Sequence, residues 1–252
     1  MINDFAIRLV VFACVFGGAL FGMFLRSVLP ERHLSADTKD TVRLGVGLIG
    51  TLAALVLGLL IASAKGFYDT QSNELTQMSA KVVLLDRVLA HYGPESKEAR
   101  DSLRSAVARM LDSLWPKDGR RHSQSEPTGA GGEGLYDQIQ ELAPKTDAQR
   151  SLQSQALSIA IQLGEARWLM YAQAGSFISL PVLMLVIFWL AIIFISFGLF
   201  APRNATAIAT LLLCALSVSG AVFLIVAMYT PFEGMMQISS SPVRNALAHL
   251  GQ

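Results

Sequence analysis

Four stretches of the 252-residue chain are almost free of charge, and each is long enough to cross a bilayer. About 20 consecutive apolar residues are needed for a helix to span roughly 30 Å of hydrocarbon. The first stretch, FAIRLVVFACVFGGALFGMFL, runs from Phe5 to Leu25 and is ended by Arg26 and Pro30. The second lies between Arg43 and Lys65, from Leu44 to Ala64. The third, Phe177 to Phe200, carries Pro181 near its start, where a kink is expected. The fourth, Ala205 to Tyr229, is stopped by Pro231. Backbone polar groups in hydrocarbon have to pair within their own segment, so four such runs specify helices. The expected fold is an all-α integral membrane protein with four transmembrane helices and a helical soluble insert between the second and third spans. The divisions read as spans 1–29, 43–65, 177–201 and 205–230, an insert 66–176, and a tail 231–252 with a short helix.

Charge is spread to match. Only 15% of residues are charged, well below the roughly one quarter of a typical globular domain, and they cluster outside the four runs. A net charge of +1 gives no basis for a nucleic-acid partner. Cys14 and Cys214 each sit in an apolar run, where a thiol behaves as a small hydrophobe, so no disulfide framework is expected. The first run is longer than the 7–15 residues of a cleavable signal core, and is expected to stay as a span.

Four spans place both termini and the insert on one side, with short links around 30–42 and 202–204 on the other. Arginine and lysine near the span ends are almost evenly divided, so charge does not orient the chain. The insert reads as helical. No breaker occurs from Phe67 to Tyr92, so one helix is expected to run from Arg43 to Tyr92, about 75 Å at 1.5 Å per residue. Val82, Leu85 and Leu89 give it an apolar stripe. A second helix is expected over Ser96–Trp115, a flexible loop over 117–134 and a short helix around Leu135–Leu142. A long helix should then run from an N-cap at Thr146 to about Ala174.

Catalytic and metal-binding patterns are missing from the sequence. His33, His91, His122 and His249 are scattered, and no CxxC, HExxH, P-loop or GxSxG occurs. Arg120-Arg121-His122 reads as a solvated charge run, and Glu165 and Arg167 as interface anchors. Apart from Arg8 near one end, no ionisable residue falls inside a span, which argues against a proton relay. No catalytic residue, metal, cofactor or enzymatic activity is expected.

The second span holds the most specific pattern. At about 100° per residue, Gly47, Gly50, Ala54, Gly58 and Ala62 share one face, with Thr51 at its edge. Arg43 and Lys65 fall on the same face, about 33 Å apart along the helix, close to the hydrocarbon thickness. Ile61 is the one bulky residue near the middle of this face. Two readings stay open. Small residues at every fourth position let helix backbones approach closely, with the two cations snorkelling to the interfaces. Alternatively, several copies set this face around an axis, so that Arg43 and Lys65 form basic rings and Ile61 an apolar constriction.

LPERHLSADTKDTVRLGVGLIGTLAALVLGLLIASAKGFYDTQ and the tail PFEGMMQISSSPVRNALAHLG resemble the bestrophin-like domain family of bacterial membrane proteins. The resemblance covers most of the chain. It implies a homo-oligomeric channel for inorganic anions such as chloride, with a pore along the second span. A pentamer in the bacterial inner membrane, with termini and insert in the cytoplasm, is implied by the same likeness. The tail then fits a docked segment, with Ser241 as N-cap and Pro242 as first helical residue. The second span lacks the proline and spaced aromatic residues of the bestrophin pore helix, so those neck residues do not carry over. The rival expectation is a non-conducting scaffold or sensor that acts through its helical insert.

Overall fold

The computed structural model describes residues 4–30, 35–116, 133–173, 180–232 and 234–251. Among them there are only helices and turns. They are α1 (Asp4–Val28), α2 (Ala36–Tyr92), α3 (Lys97–Leu114), α4 (Glu133–Gln140), α5 (Asp147–Gln173), α6 (Leu180–Phe200), α7 (Ala205–Met228) and α8 (Ser241–His249), with a 3-10 turn at Pro94–Ser96 before α3. Helices α1, α2, α6 and α7 each contain a window long and apolar enough to cross a membrane. The chain is an all-α, multi-pass membrane protein. Arg120-Arg121-His122 and most of the loop expected over 117–134 lie outside the described residues, and Gly134 at its end is in α4.

The chain divides into two compact units, 1–68 with 177–236, and 69–176 with 237–252. In the first, α1, α6 and α7 bury one stripe each. Val11, Val15, Ala19 and Met23 recur every fourth residue on α1, and meet Leu183, Val186, Leu190 and Phe194 of α6. Leu211, Ala215, Val222 and Val226 of α7 complete this core, to which α2 adds a single buried side chain, Ala53. Pro181 falls in the first turn of α6, where a missing N–H costs no intrahelical bond. Asn204 caps α7 by accepting from the Ala207 N–H at 2.8 Å.

Helix α2 begins at Ala36, seven residues before the start expected from the apolar run. Ser35 explains the earlier start, because its hydroxyl accepts from the Thr38 N–H at 3.3 Å. At 57 residues the helix is about 86 Å long. It ends at Gly93, whose φ of 129° is open only to glycine.

In the second unit, Leu75, Val82, Leu85 and Leu89 of α2 are buried, as are Leu103 and Val107 of α3. Thr146 caps α5 by accepting from the Gln149 N–H at 3.1 Å. Gln153 of α5 donates to the carbonyls of Ile139 and Leu142 at 2.9 and 2.8 Å, pairing acceptors that the end of α4 would otherwise leave open. The tail packs into this unit. Trp115 donates its indole N–H to the Ile238 carbonyl at 3.0 Å, and Val243 and Ala246 of α8 are buried. The expected N-cap is one residue out: Ser240 precedes the helix, and Ser241 is its first residue. The Ser241 hydroxyl turns back to that of Ser239 at 2.8 Å, so it does not cap.

Candidate functional site

Burial along the membrane part of α2 separates an inward from an outward side, and side-chain size divides the outward side in two. Val46, Ile49, Ala53, Val56, Leu57 and Leu60 turn inward against the core of α1, α6 and α7. Leu44, Leu48, Leu55 and Leu59 lie on a second face and are 65–78% exposed. The third face carries the small residues and the two cations. Arg43, Gly47, Thr51, Ala54, Gly58, Ile61, Ala62 and Lys65 are all exposed there, and Gly50 is half-buried. Only 6% of the apolar window of α2 is buried within the chain, against 33%, 33% and 39% for the other spans. Most side chains in this window are therefore left exposed or only partly covered by their own chain.

The glycines show that the small-residue face is not where helices of this chain approach most closely. A methyl group added at Gly47, Gly50 or Gly58 would meet nothing within 4 Å. On α1 and α6 the opposite holds. A methyl at Gly22 would press on the Ile195 carbonyl oxygen, with the Ile195 carbonyl carbon and the Leu199 nitrogen both at 2.9 Å. A methyl at Gly198 would press on the Ala19 carbonyl oxygen in return. A methyl at Gly18 would meet the Ala191 oxygen at 3.3 Å, a milder crowding that a small shift relieves. Gly18 and Gly22 form a GxxxG pair in the first span, and the close packing belongs to them.

The ends of the α2 face differ in their surroundings. Arg43 pairs with Asp40 at 3.6 Å, but both side chains are 71% exposed, so the pair holds the guanidinium weakly. Arg43, Gly47 and Gly50 also border a cleft of about 770 Å³ between α2, the end of α6 and the start of α7. Thr51, Ala54, Gly58, Ile61, Ala62 and Lys65 do not line it. The Thr51 hydroxyl donates to the Leu48 carbonyl of its own helix at 2.8 Å. At the other end the Lys65 ammonium lies 5.9 Å over the Tyr68 ring, within cation–π range. Tyr229, at the end of α7, stacks on Phe67 with ring centroids 5.3 Å apart, and its hydroxyl is 3.1 Å from that of Ser63. The two Tyr229 contacts tether this end of α2 to the end of α7 and leave the small-residue face outward.

In the second unit the sequence reading missed Asp86, a buried carboxylate between Leu85 and Leu89 of the apolar stripe. Arg100 of α3 grips it with two hydrogen bonds, 2.8 and 3.0 Å, and the Gly251 N–H donates to it at 3.3 Å. Burial alone would raise its pKa. The Arg100 and Gly251 hydrogen bonds and the charges of Arg100 and Arg87 outweigh that and hold it below the usual carboxylate value. The available signal was an acid inside an apolar stripe, which needs a buried partner. No group of three or more His, Cys, Asp or Glu placed to hold a metal occurs among the described residues.

A family model described as the Bestrophin-like domain matches residues 13–243. No curated protein matches the chain in sequence. Among solved structures, the fold is similar to the crystal structure of a bacterial bestrophin homolog from Klebsiella pneumoniae that carries a point mutation. The TM-score is 0.66 at 13% identity, over 94% of this chain and 99% of that one.

Proposed function

The chain belongs to the Bestrophin-like domain family, and on that footing we propose that it is an oligomeric membrane channel that passes inorganic anions along α2. The supporting observation is the uncovered third face of α2. It is exposed at both cations, carries small side chains between them, and differs from the face that packs on the chain's own core. Set around an axis, Arg43 and Lys65 would form basic rings at the two mouths, which favour anions. Gly47, Gly50, Thr51, Ala54, Gly58 and Ala62 would line the passage, and Ile61, 41% exposed, would form an apolar ring that gates by dewetting. The number of subunits is five in this proposal, by the likeness to bestrophins. The insert and termini lie in the cytoplasm of a bacterial inner membrane in the same reading.

Planar-bilayer recording of the reconstituted chain is the test. Chloride gradients should give reversal potentials of the sign expected for an anion-selective pore. Arg43→Glu or Lys65→Glu should move them toward zero, and Ile61→Ala should raise the open-state conductance. Silent bilayers from protein with native helicity would refute conduction and favour the non-conducting scaffold. Conduction that is unchanged in all three variants would place the pore elsewhere.

A further inference from the structure

We propose that the cleft at the Ala36 end of α2 binds an anionic phospholipid, its phosphate held by Lys39 and Arg43 and one acyl chain lying between α2, α6 and α7. The cleft lies wholly within the membrane unit and, at about 770 Å³, falls in the range of small-molecule sites. Its lining is graded. Lys39 and Arg43 stand at one end of the α2 wall, followed by Val46 and Gly50, while Phe197 and Leu211 supply apolar surface from α6 and α7. Lys39 to Gly50 is about 16 Å along the helix, which is half of a hydrocarbon core roughly 30 Å thick and so the depth of one leaflet.

Charge and space favour this occupant. No carboxylate is among the described residues that line the cleft; Asp40, paired with Arg43 at 3.6 Å, is not one of them. A free phosphate would satisfy the two cations but leave the apolar walls uncovered, whereas an acyl chain covers them. Gly47 and Gly50 keep the α2 wall open, because even a methyl there meets nothing within 4 Å. The inference needs only that the four spans lie in a bilayer and does not depend on conduction; it assigns Arg43, Gly47 and Gly50 to a lipid, which leaves Thr51 to Lys65 of that face for the passage proposed above.

Native mass spectrometry of the full chain in detergent tests it, with phosphatidylglycerol or phosphatidylcholine of identical acyl chains added. Phosphatidylglycerol should be retained at least fivefold better. Lys39→Gln should lower its retention about fivefold, the worth of one basic residue beside an anionic headgroup, and leave phosphatidylcholine unchanged. Thr210→Phe, which fills the cleft from α7, should reduce retention of both lipids without changing oligomer mass or helicity. Equal retention of the two lipids, or an unchanged Lys39→Gln variant, would overturn the proposal. Displacement of the lipid by millimolar inorganic phosphate would show an anion site without acyl specificity, and would overturn the proposal. Cross-linking of Thr210→Cys to α2 of another copy would show a protein occupant, and would overturn the proposal equally.

Discussion

The sharpest contrast in the molecule is between glycines of the same apparent kind on two different spans. Gly22 and Gly198 hold α1 and α6 at backbone contact, whereas Gly50 and Gly58 face open space within the chain. For Gly22→Ala, the new methyl would meet the Ile195 carbonyl carbon and the Leu199 nitrogen at 2.9 Å, against 3.4 Å or more for ordinary contacts. Both neighbours are helix backbone and cannot rotate away, so the two helices would have to part by at least about 0.5 Å. A gap of 0.5–1 Å gives up a quarter to a half of the dispersion attraction of each atom pair along the seam. Buried Ala19, Met23, Leu190 and Phe194 lie in that core. The cost falls at the upper end of the 1–3 kcal/mol seen for overpacking. Alanine returns up to about 1 kcal/mol of helix propensity, which leaves a net loss of about 2 kcal/mol. Gly50→Ala and Gly58→Ala incur no such clash within the chain and keep the propensity gain.

The difference between the two pairs is therefore about 3 kcal/mol, more than a hundredfold in the unfolding equilibrium. Unfolding of the four single variants in mixed micelles, followed by circular dichroism, would measure it. Gly22→Ala and Gly198→Ala should lose stability, and the two together should lose less than the sum because they act on one seam. Gly50→Ala and Gly58→Ala should match or exceed the wild type in helix stability. Any effect of theirs should show only in oligomer mass or conductance. If all four variants lose stability alike, or the order is reversed, then the small face of α2 is an internal packing face and this reasoning fails.

Asp86→Asn should destabilise the second unit by about 2–4 kcal/mol, because it leaves the partly buried Arg100 without its counter-charge. Since the folded-state pKa of Asp86 is lowered, its contribution is complete above the ordinary value of 3.8 and is lost as pH falls through the lowered one. Limited proteolysis of the tail should therefore be flat from pH 8 to 5 and rise steeply only in stronger acid, with no such rise specific to Asp86→Asn. Gln153→Ala should cost about 1–2 kcal/mol by leaving the Ile139 and Leu142 carbonyls unpaired, and hydrogen exchange should accelerate in α4.

What could be read from the sequence follows the strength of the physical constraint behind it. The four spans were legible because hydrocarbon admits only self-paired backbone, and the continuation of α2 beyond the membrane because no breaker falls from Phe67 to Tyr92. The cap at Thr146 was legible because its hydroxyl has a single near use, the Gln149 N–H. The tail cap was not, because Ser239, Ser240 and Ser241 are chemically equal candidates and only the turn geometry separates them. Nor could spacing tell Gly18 and Gly22 from Gly50 and Gly58. Small residues every fourth position permit close approach, but do not say which helix, or which chain, makes it. Lys39 was overlooked for a related reason. It lies before the apolar run, and joins Arg43 at the cleft only because Ser35 starts the helix early enough to carry it there.

The same comparison decides how the two basic residues of α2 are to be understood. Arg43 and Lys65 stand about 33 Å apart on a helix whose inward face is already satisfied by Val46, Ile49, Ala53, Val56 and Leu60. Snorkelling alone would account for a cation at each membrane boundary on any face. It does not account for the bulky leucines being gathered on a separate exposed face, where Leu44, Leu48, Leu55 and Leu59 suit lipid tails. A helix surrounded only by lipid and its own core would have no use for that division, since leucine serves lipid contact on every outward side. Beyond the cleft at its Arg43 end, the small face is thus matched to surroundings other than acyl chains. Along most of its length a second copy or an aqueous axis fits that requirement, and at the Arg43 end a phosphate does.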